Sequence, residues 1–302
     1  MYDIIIIGAG PAGLTAALYA LRADKSVLVL EKGTFGGQIT FSPQIENYPG
    51  FNKMSGNEFA DRLVDQVISQ GAEIEMETVT AVKDNGATKT VVTEDGEYEA
   101  KAVIIAVGVK HRQIGLPNEN ELVGEGVSYC AVCDGAFFKG QTVAVLGGGN
   151  SALQEAVLLS DGCKKVYVIQ NLDYFTGEAR LVEKLKDKDN VELITGTVIS
   201  ALNGERSLKS LTLRKESDGS ESELEVDGLF VAIGLIPNNE AFSEIAGLDE
   251  MGYINSDESC LTATQGVFVA GDCRKKQIRQ ITTATADGSV AALAACRYID
   301  SL

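Results

Sequence analysis

Twice along the chain an apolar, β-branched run leads into a glycine turn, a helix-forming stretch and a second apolar run: "YDIIIIGAGPAGLTAALYALRADKSVLVLEKG" from residue 2 and "QTVAVLGGGNSALQEAVLLSDGCKKVYVIQ" from residue 141. A strand, a glycine turn and a helix in that order leave free backbone amides at a helix N-terminus, where a phosphate is favoured. In the first copy Gly8, Gly10 and Gly13 stand in G-x-G-x-x-G register. Glu31 closes the second strand about twenty residues on, where a carboxylate can bind a ribose diol. In the second copy Gly147 and Gly149 hold the turn and Ala152 takes the third place. Each copy is answered later by an apolar run ending in glycine, "AVIIAVGV" at 102–109 and "GLFVAIGL" at 228–235, so the unit of fold is duplicated. A third run, "GVFVAGDC" at 266–273, precedes the helical "TTATADGSVAALAACRYI". Asp272 at its tip reads, by itself, as a helix cap.

A chain of 302 residues is long enough for two cores. The order of the runs predicts an α/β fold with two Rossmann-like dinucleotide-binding domains, the second inserted into the first. The first is placed at residues 1–115 and 245–302, the insert at 116–244, with Pro117 and Pro237 as hinge points between them.

The insert opens with "YCAVCDGAFF" at 129–138. C-x-x-C serves metal sites, structural staples and redox pairs alike. Zinc takes four ligands, yet Cys163, Cys260, Cys273 and Cys296 stand singly and His111 is the only histidine, so no metal site is expected. The apolar stretch from residue 4 is broken by Gly8, Gly10, Pro11 and Gly13 and follows no basic segment, so it reads as neither a signal peptide nor a membrane span. A cytoplasmic, reducing setting is therefore expected, in which an adjacent cysteine pair is redox-active. A net charge of -17 argues against nucleic acid as a partner. The densest basic cluster, "RKKQIR" at 274–279, reads as a solvated loop and is the one local candidate for docking an acidic protein.

The ordered set G-A-G-P-A-G, "GGQIT", "ENYPG", "CAVCDG", "GGGNSALQEA" and "GDCRKKQIRQITTATADG" spans the chain and resembles the low-molecular-weight thioredoxin reductases, two-dinucleotide-fold disulfide oxidoreductase flavoproteins. The resemblance implies FAD in the first domain. It places Gly8, Gly10 and Gly13 at the pyrophosphate, Glu31 at the ribose, Gln38 and Asn47 near the flavin, Asp272 at the ribityl chain, and Arg279 with Gln280 beside the isoalloxazine. It further implies that Cys133 faces the flavin, that Cys130 attacks the disulfide of a thioredoxin or thioredoxin-like protein, and that Asp134 protonates the leaving thiolate. A homodimer is implied as well.

One stretch departs from that pattern. NADPH-using relatives follow the second strand of the insert with H-R-R-D-x-F-R-A, whereas this chain has "QNLDYFTG" at 170–177, with Asn171, Leu172 and Thr176 in place of the three arginines. A phosphate dianion needs charge-assisted donors, each worth about 1.5–3 kcal/mol. Nor does Gln170 supply the carboxylate that would select NADH. In this the chain resembles the ferredoxin-dependent flavin thioredoxin reductases, which implies electrons passing from reduced ferredoxin through FAD and Cys130/Cys133 to thioredoxin. The alternatives are NADPH or NADH held by basic residues such as Lys164, Lys165 or Arg180, and a non-catalytic flavin-binding sensor or electron carrier, against which the intact C-x-x-C-D-G counts.

Overall fold

A computed structural model describes residues 1–42 and 44–302. The chain divides into two compact units, Met1–Lys110 with Ile236–Leu302, and His111–Leu235. Both crossings come earlier than the sequence places them, so Pro117 lies inside the second unit and Pro237 just beyond the second crossing.

The first unit is built on a seven-stranded sheet. Tyr2–Ile7 lies between Val27–Glu31 and Glu97–Ile105, parallel to both. Its isoleucines alternate between two covered faces. Ile4 and Ile6 join Ala12 and Ala16 of the Pro11–Leu21 helix and Ala291 and Ala295 of the Ile281–Asp300 helix, while Ile5 and Ile7 join Phe242, Ile245 and Ile254. A strand covered on both faces must be apolar throughout, and each isoleucine so buried contributes about 1.5–3 kcal/mol. Glu97–Ile105 is long enough to serve two partners on its other edge. Its first half pairs antiparallel with Lys89–Thr93 and its second half parallel with Val267–Val269, so the C-terminal strand belongs to this sheet.

The second unit has a five-stranded parallel sheet in the order Val191–Ile194, Lys165–Ile169, Thr142–Leu146, Gly228–Val231, Val127–Ser128. Thr197–Asn203, Ser210–Lys215 and Glu221–Glu225 form a separate antiparallel sheet. In both units the glycine turn follows the C-terminal end of a central parallel strand, where an α/β sheet offers its crevice. No helix among the described residues is long and apolar enough to cross a membrane.

Candidate active site

The cysteine pair sits at the end of Val127–Ser128, in a single helical turn, Ala131–Asp134, of which Cys130 is the N-cap. Cys130 and Cys133 form a disulfide with Cα atoms 5.3 Å apart, and both are half-buried. The turn is held by its own backbone: the amides of Cys133 and Asp134 donate to the Cys130 carbonyl at 3.1 and 3.0 Å. The strand before it supplies a further clamp. Ser128 Oγ accepts from the Cys130 amide at 3.1 Å and donates to Asp134 Oδ2 at 2.6 Å. Tyr129 is anchored through its hydroxyl to Glu119 at 2.7 Å, and the same carboxylate accepts the Ile114 and Gly115 amides.

Asp134 is therefore held by a serine, also bonded to the Cys130 amide, that the sequence did not single out. Its other oxygen, Oδ1, is buried and has no hydrogen-bond partner among the described residues. Burial raises its pKa, while the Ser128 hydroxyl opposes the shift. An acid so placed keeps its proton to higher pH and has it available for a thiolate.

In the first unit the three glycines have different reasons to be glycine. A Cβ on Gly8, whose φ is +108°, would come 2.4 Å from the Ala106 carbonyl oxygen, and one on Gly13 would come 1.9 Å from that of Gly8. A Cβ on Gly10 would meet nothing nearer than 3.9 Å. That opening lies at the N-cap of Pro11–Leu21, which has no side-chain cap, so the first amides of the helix are left for an anion. Glu31 is fixed beside it, accepting the Ala9 and Gly33 amides at 2.8 Å each.

Of the remaining flavin-site candidates, Asn47, Asp272, Arg279 and Gln280 are linked around the start of the last helix, and Gln38 stands apart from them. Gln280 is its N-cap, in a reciprocal capping box with Thr283, and accepts from Asn47 Nδ2 at 3.2 Å. Arg279 donates to the Asp272 carbonyl at 3.3 Å and lies over the Tyr253 ring. Gln38 donates to the Val109 carbonyl. Asp272 does not cap the helix, contrary to its first reading from sequence. Its Oδ1 is buried without a hydrogen-bond partner among the described residues, and burial pushes its pKa up to about 6. An acceptor in want of a donor, together with the opening at Gly10, fits FAD: the pyrophosphate would meet the helix amides and a ribityl hydroxyl would satisfy Asp272.

The basic cluster is not a surface patch. Arg274 is 2% exposed and donates to Asp287 through Nε and Nη2 at 2.8 and 2.9 Å, and Lys276 donates to the same carboxylate at 2.9 Å. Asp287 also accepts the Gly271 amide at 3.0 Å, so a carboxylate that sequence reasoning missed pins the turn presenting Asp272.

The second glycine turn is built like the first: a Cβ on Gly149, the counterpart of Gly10, would meet nothing nearer than the Thr176 hydroxyl at 3.9 Å, and the helix it caps has no side-chain cap. The Gly148 carbonyl accepts the amides of Thr176 and Gly177 at 2.9 Å each and the Thr176 hydroxyl at 3.2 Å. The buried Gln170 side chain lies against Gly148, so close that a Cβ there would come 2.3 Å from Nε2. Asn171 and Leu172 are exposed. The other basic candidates are engaged elsewhere: Arg180 pairs with Glu178, and Lys165 pairs with Glu192 at 3.1 Å. Lys164 and Lys165 stand where the Lys165–Ile169 strand begins, about 13 Å from its nucleotide-facing end at 3.3 Å per residue.

A family model described as pyridine nucleotide-disulphide oxidoreductase matches residues 2–288. The chain is 42% identical to the thioredoxin reductase of Listeria innocua, over 100% of this chain and 95% of that one. It is 41% identical to that of Bacillus subtilis, over 100% and 96%. The solved thioredoxin reductase of Streptococcus pyogenes superposes with a TM-score of 0.96 at 39% identity, covering 100% of this chain and 99% of that one. With a half-buried cysteine pair beside a proton-retaining acid in one unit, and a dinucleotide cradle in the other, the chain belongs to the low-molecular-weight thioredoxin reductase family, whose members are FAD flavoproteins.

Proposed function

We propose that the chain reduces the disulfide of thioredoxin or a thioredoxin-like protein through Cys130 and Cys133, and that its electrons come from reduced ferredoxin. Bound FAD would supply two electrons to the disulfide. Gly8, Gly10 and Gly13 with Glu31 hold its adenine half, and Gln38, Asn47, Asp272, Arg279 and Gln280 hold its flavin half. Once the pair is a dithiol, the Cys130 thiolate attacks a sulfur of the partner's disulfide and forms a mixed disulfide. Asp134 gives its proton to the departing thiolate. Cys133 then attacks Cys130, releases the partner as a dithiol and restores the disulfide. Reaching a flavin and a protein substrate in turn calls for rotation of the second unit about the crossings. The family resemblance supports a homodimer.

The donor assignment rests on one observation: Asn171, Leu172 and Thr176 stand where a 2′-phosphate would need arginines, and Thr176 is turned onto Gly148. A relative 41% identical over 98% of this chain is described as a 34.2 kDa protein in the rubredoxin operon of Clostridium pasteurianum, which sets it beside a one-electron carrier. NADPH is the competing donor, favoured by the pyridine nucleotide in the family's description and by the intact turn, in which Gly147 keeps φ at +137° and Gly149 caps the helix without a side chain. Anaerobic bleaching of the flavin separates the two. Reduced ferredoxin is expected to bleach it and support thioredoxin reduction, and millimolar NADPH or NADH is not. Rapid NADPH-dependent turnover would reverse the assignment.

A further inference from the structure

Glu155 is a buried acid beside the redox turn that the steps above leave unused. It lies on the Asn150–Ser160 helix, which packs against Ala131–Asp134. Its carboxylate faces the amide of Ala131, the residue next to Cys130, and its Oε2 is buried with no hydrogen-bond partner among the described residues. Burial pushes its pKa up to about 7, and the Ala131 amide offsets only part of that. No neighbouring charge takes part in the shift. The Ala131–Asp134 turn brings Asp134, which accepts the Ser128 hydroxyl. The Ala179–Lys186 helix brings Arg180, Glu183, Lys184 and Lys186, of which Arg180 pairs with Glu178 and Lys186 with Glu183. The Lys165–Ile169 strand brings Tyr167 and Lys165, the latter paired with Glu192. The Thr142–Leu146 strand brings no titratable side chain.

We propose that Glu155, on the helix packed against the Cys130–Cys133 turn, takes up a proton when the disulfide is reduced. Two electrons break the S–S bond, and one proton joins one sulfur. The other sulfur remains a thiolate, and the second proton goes to Glu155, so the net charge of the turn does not change. Reoxidation by the partner's disulfide returns that proton. The physical reason is repulsion: a carboxylate and a thiolate sharing a poorly solvated turn disfavour each other, and a neutral Glu155 removes the conflict. Asp134 does not serve this end, since its proton is committed to the departing thiolate of the partner.

This inference rests on the Cys130–Cys133 pair being the redox centre, and its test is independent of the physiological donor. The holoenzyme is equilibrated in dithiothreitol redox buffers across the neutral pH range. In the wild type, the disulfide's midpoint potential plotted against pH is expected to break near pH 7, and reduced-minus-oxidised infrared spectra are expected to gain a protonated-carboxyl band. In Glu155→Gln the break and the band are expected to vanish. Identical plots and bands in both proteins would overturn the proposal. A pair that dithiothreitol cannot reduce in the wild type would overturn the redox-centre reading along with it. Should Glu155→Gln fail to fold, Glu155→Asp keeps an acid on a shorter stem; it is expected to move the break, and an unmoved break overturns the proposal.

Discussion

The two glycine turns come from the same strand–turn–helix design and differ in the side chain set beside them. At both, the space beside the glycine that caps the helix, Gly10 or Gly149, is open, with no atom nearer than 3.9 Å to a Cβ built there. At the first, Glu31 accepts the Ala9 and Gly33 amides; at the second, Gln170 stands at the end of the matching strand, packs against Gly148 and accepts the Asn171 amide. The backbone of a dinucleotide turn is thus the same in both units, while the residues beside it differ: Glu31 in the first, Gln170, Asn171, Leu172 and Thr176 in the second. Geometry at the glycines reports the ancestry of a fold; the side chains around them report its use.

The comparison predicts its own largest asymmetry. Gly13→Ala puts a methyl 1.9 Å from a backbone oxygen that cannot retreat, so the variant is expected to purify nearly free of flavin, read as visible absorbance per protein. Gly148→Ala meets only the end of the flexible Gln170 side chain, and is expected to keep its flavin. Equal flavin content in the two variants would erase the distinction between the turns.

Next in size is the missing phosphate clamp. Three charge-assisted donors are worth roughly 4–9 kcal/mol together. Asn171→Arg, Leu172→Arg and Thr176→Arg combined are expected to confer measurable NADP binding by calorimetry. No gain in NADP affinity in the triple variant would show that the missing arginines are not what limits binding.

A smaller effect compares buried acids, Asp272 in the first unit and Glu155 in the second. Burial raises their folded-state pKa values to about 6 and about 7, above their ordinary 3.8 and 4.5. A carboxyl that prefers its proton when folded contributes most below its unfolded pKa and loses that contribution as pH rises through the folded value. Apoprotein stability is therefore expected to fall from pH 4 toward pH 7, by up to about 3 kcal/mol per group at ~1.4 kcal/mol per pKa unit. Asp272→Asn and Glu155→Gln should each flatten part of the urea-midpoint profile, and a profile unchanged by both would refute the assignment. The smallest effect is that of Gln170→Ala; it is expected to lower unfolding free energy by about 2 kcal/mol, since its two side-chain hydrogen bonds, to the Tyr174 carbonyl and from the Asn171 amide, are lost.

Both glycine units and the redox pair were legible in the sequence because each is a short-range pattern: a turn needs its glycines within a few residues, and a C-x-x-C needs its cysteines within one helical turn. What escaped was made by distant residues meeting. Asp287 joins Arg274 and Lys276 only because the last helix returns over the Gly271 turn, and Glu155 reaches Ala131 only because two helices pack. The "RKK" run looked outward for the same reason, since no local rule says that Arg274 is to be 2% exposed. Asp272 looked like a cap until Gln280 was seen to be the N-cap. Neither antiparallel ribbon was legible, because strands such as Glu221–Glu225 carry charges on nearly every outward position.

The inward turn of Arg274 and Lys276 has a consequence for ionic strength. Exposed charges on a chain of net charge -17 feel dissolved salt at a Debye length of about 8 Å under physiological conditions, whereas a carboxylate and two cations sealed from water are barely screened. Salt therefore acts selectively on this molecule, altering how often it meets a charged protein partner while leaving the Gly271–Asp272 turn in place. A salt titration of turnover reads the encounter by itself.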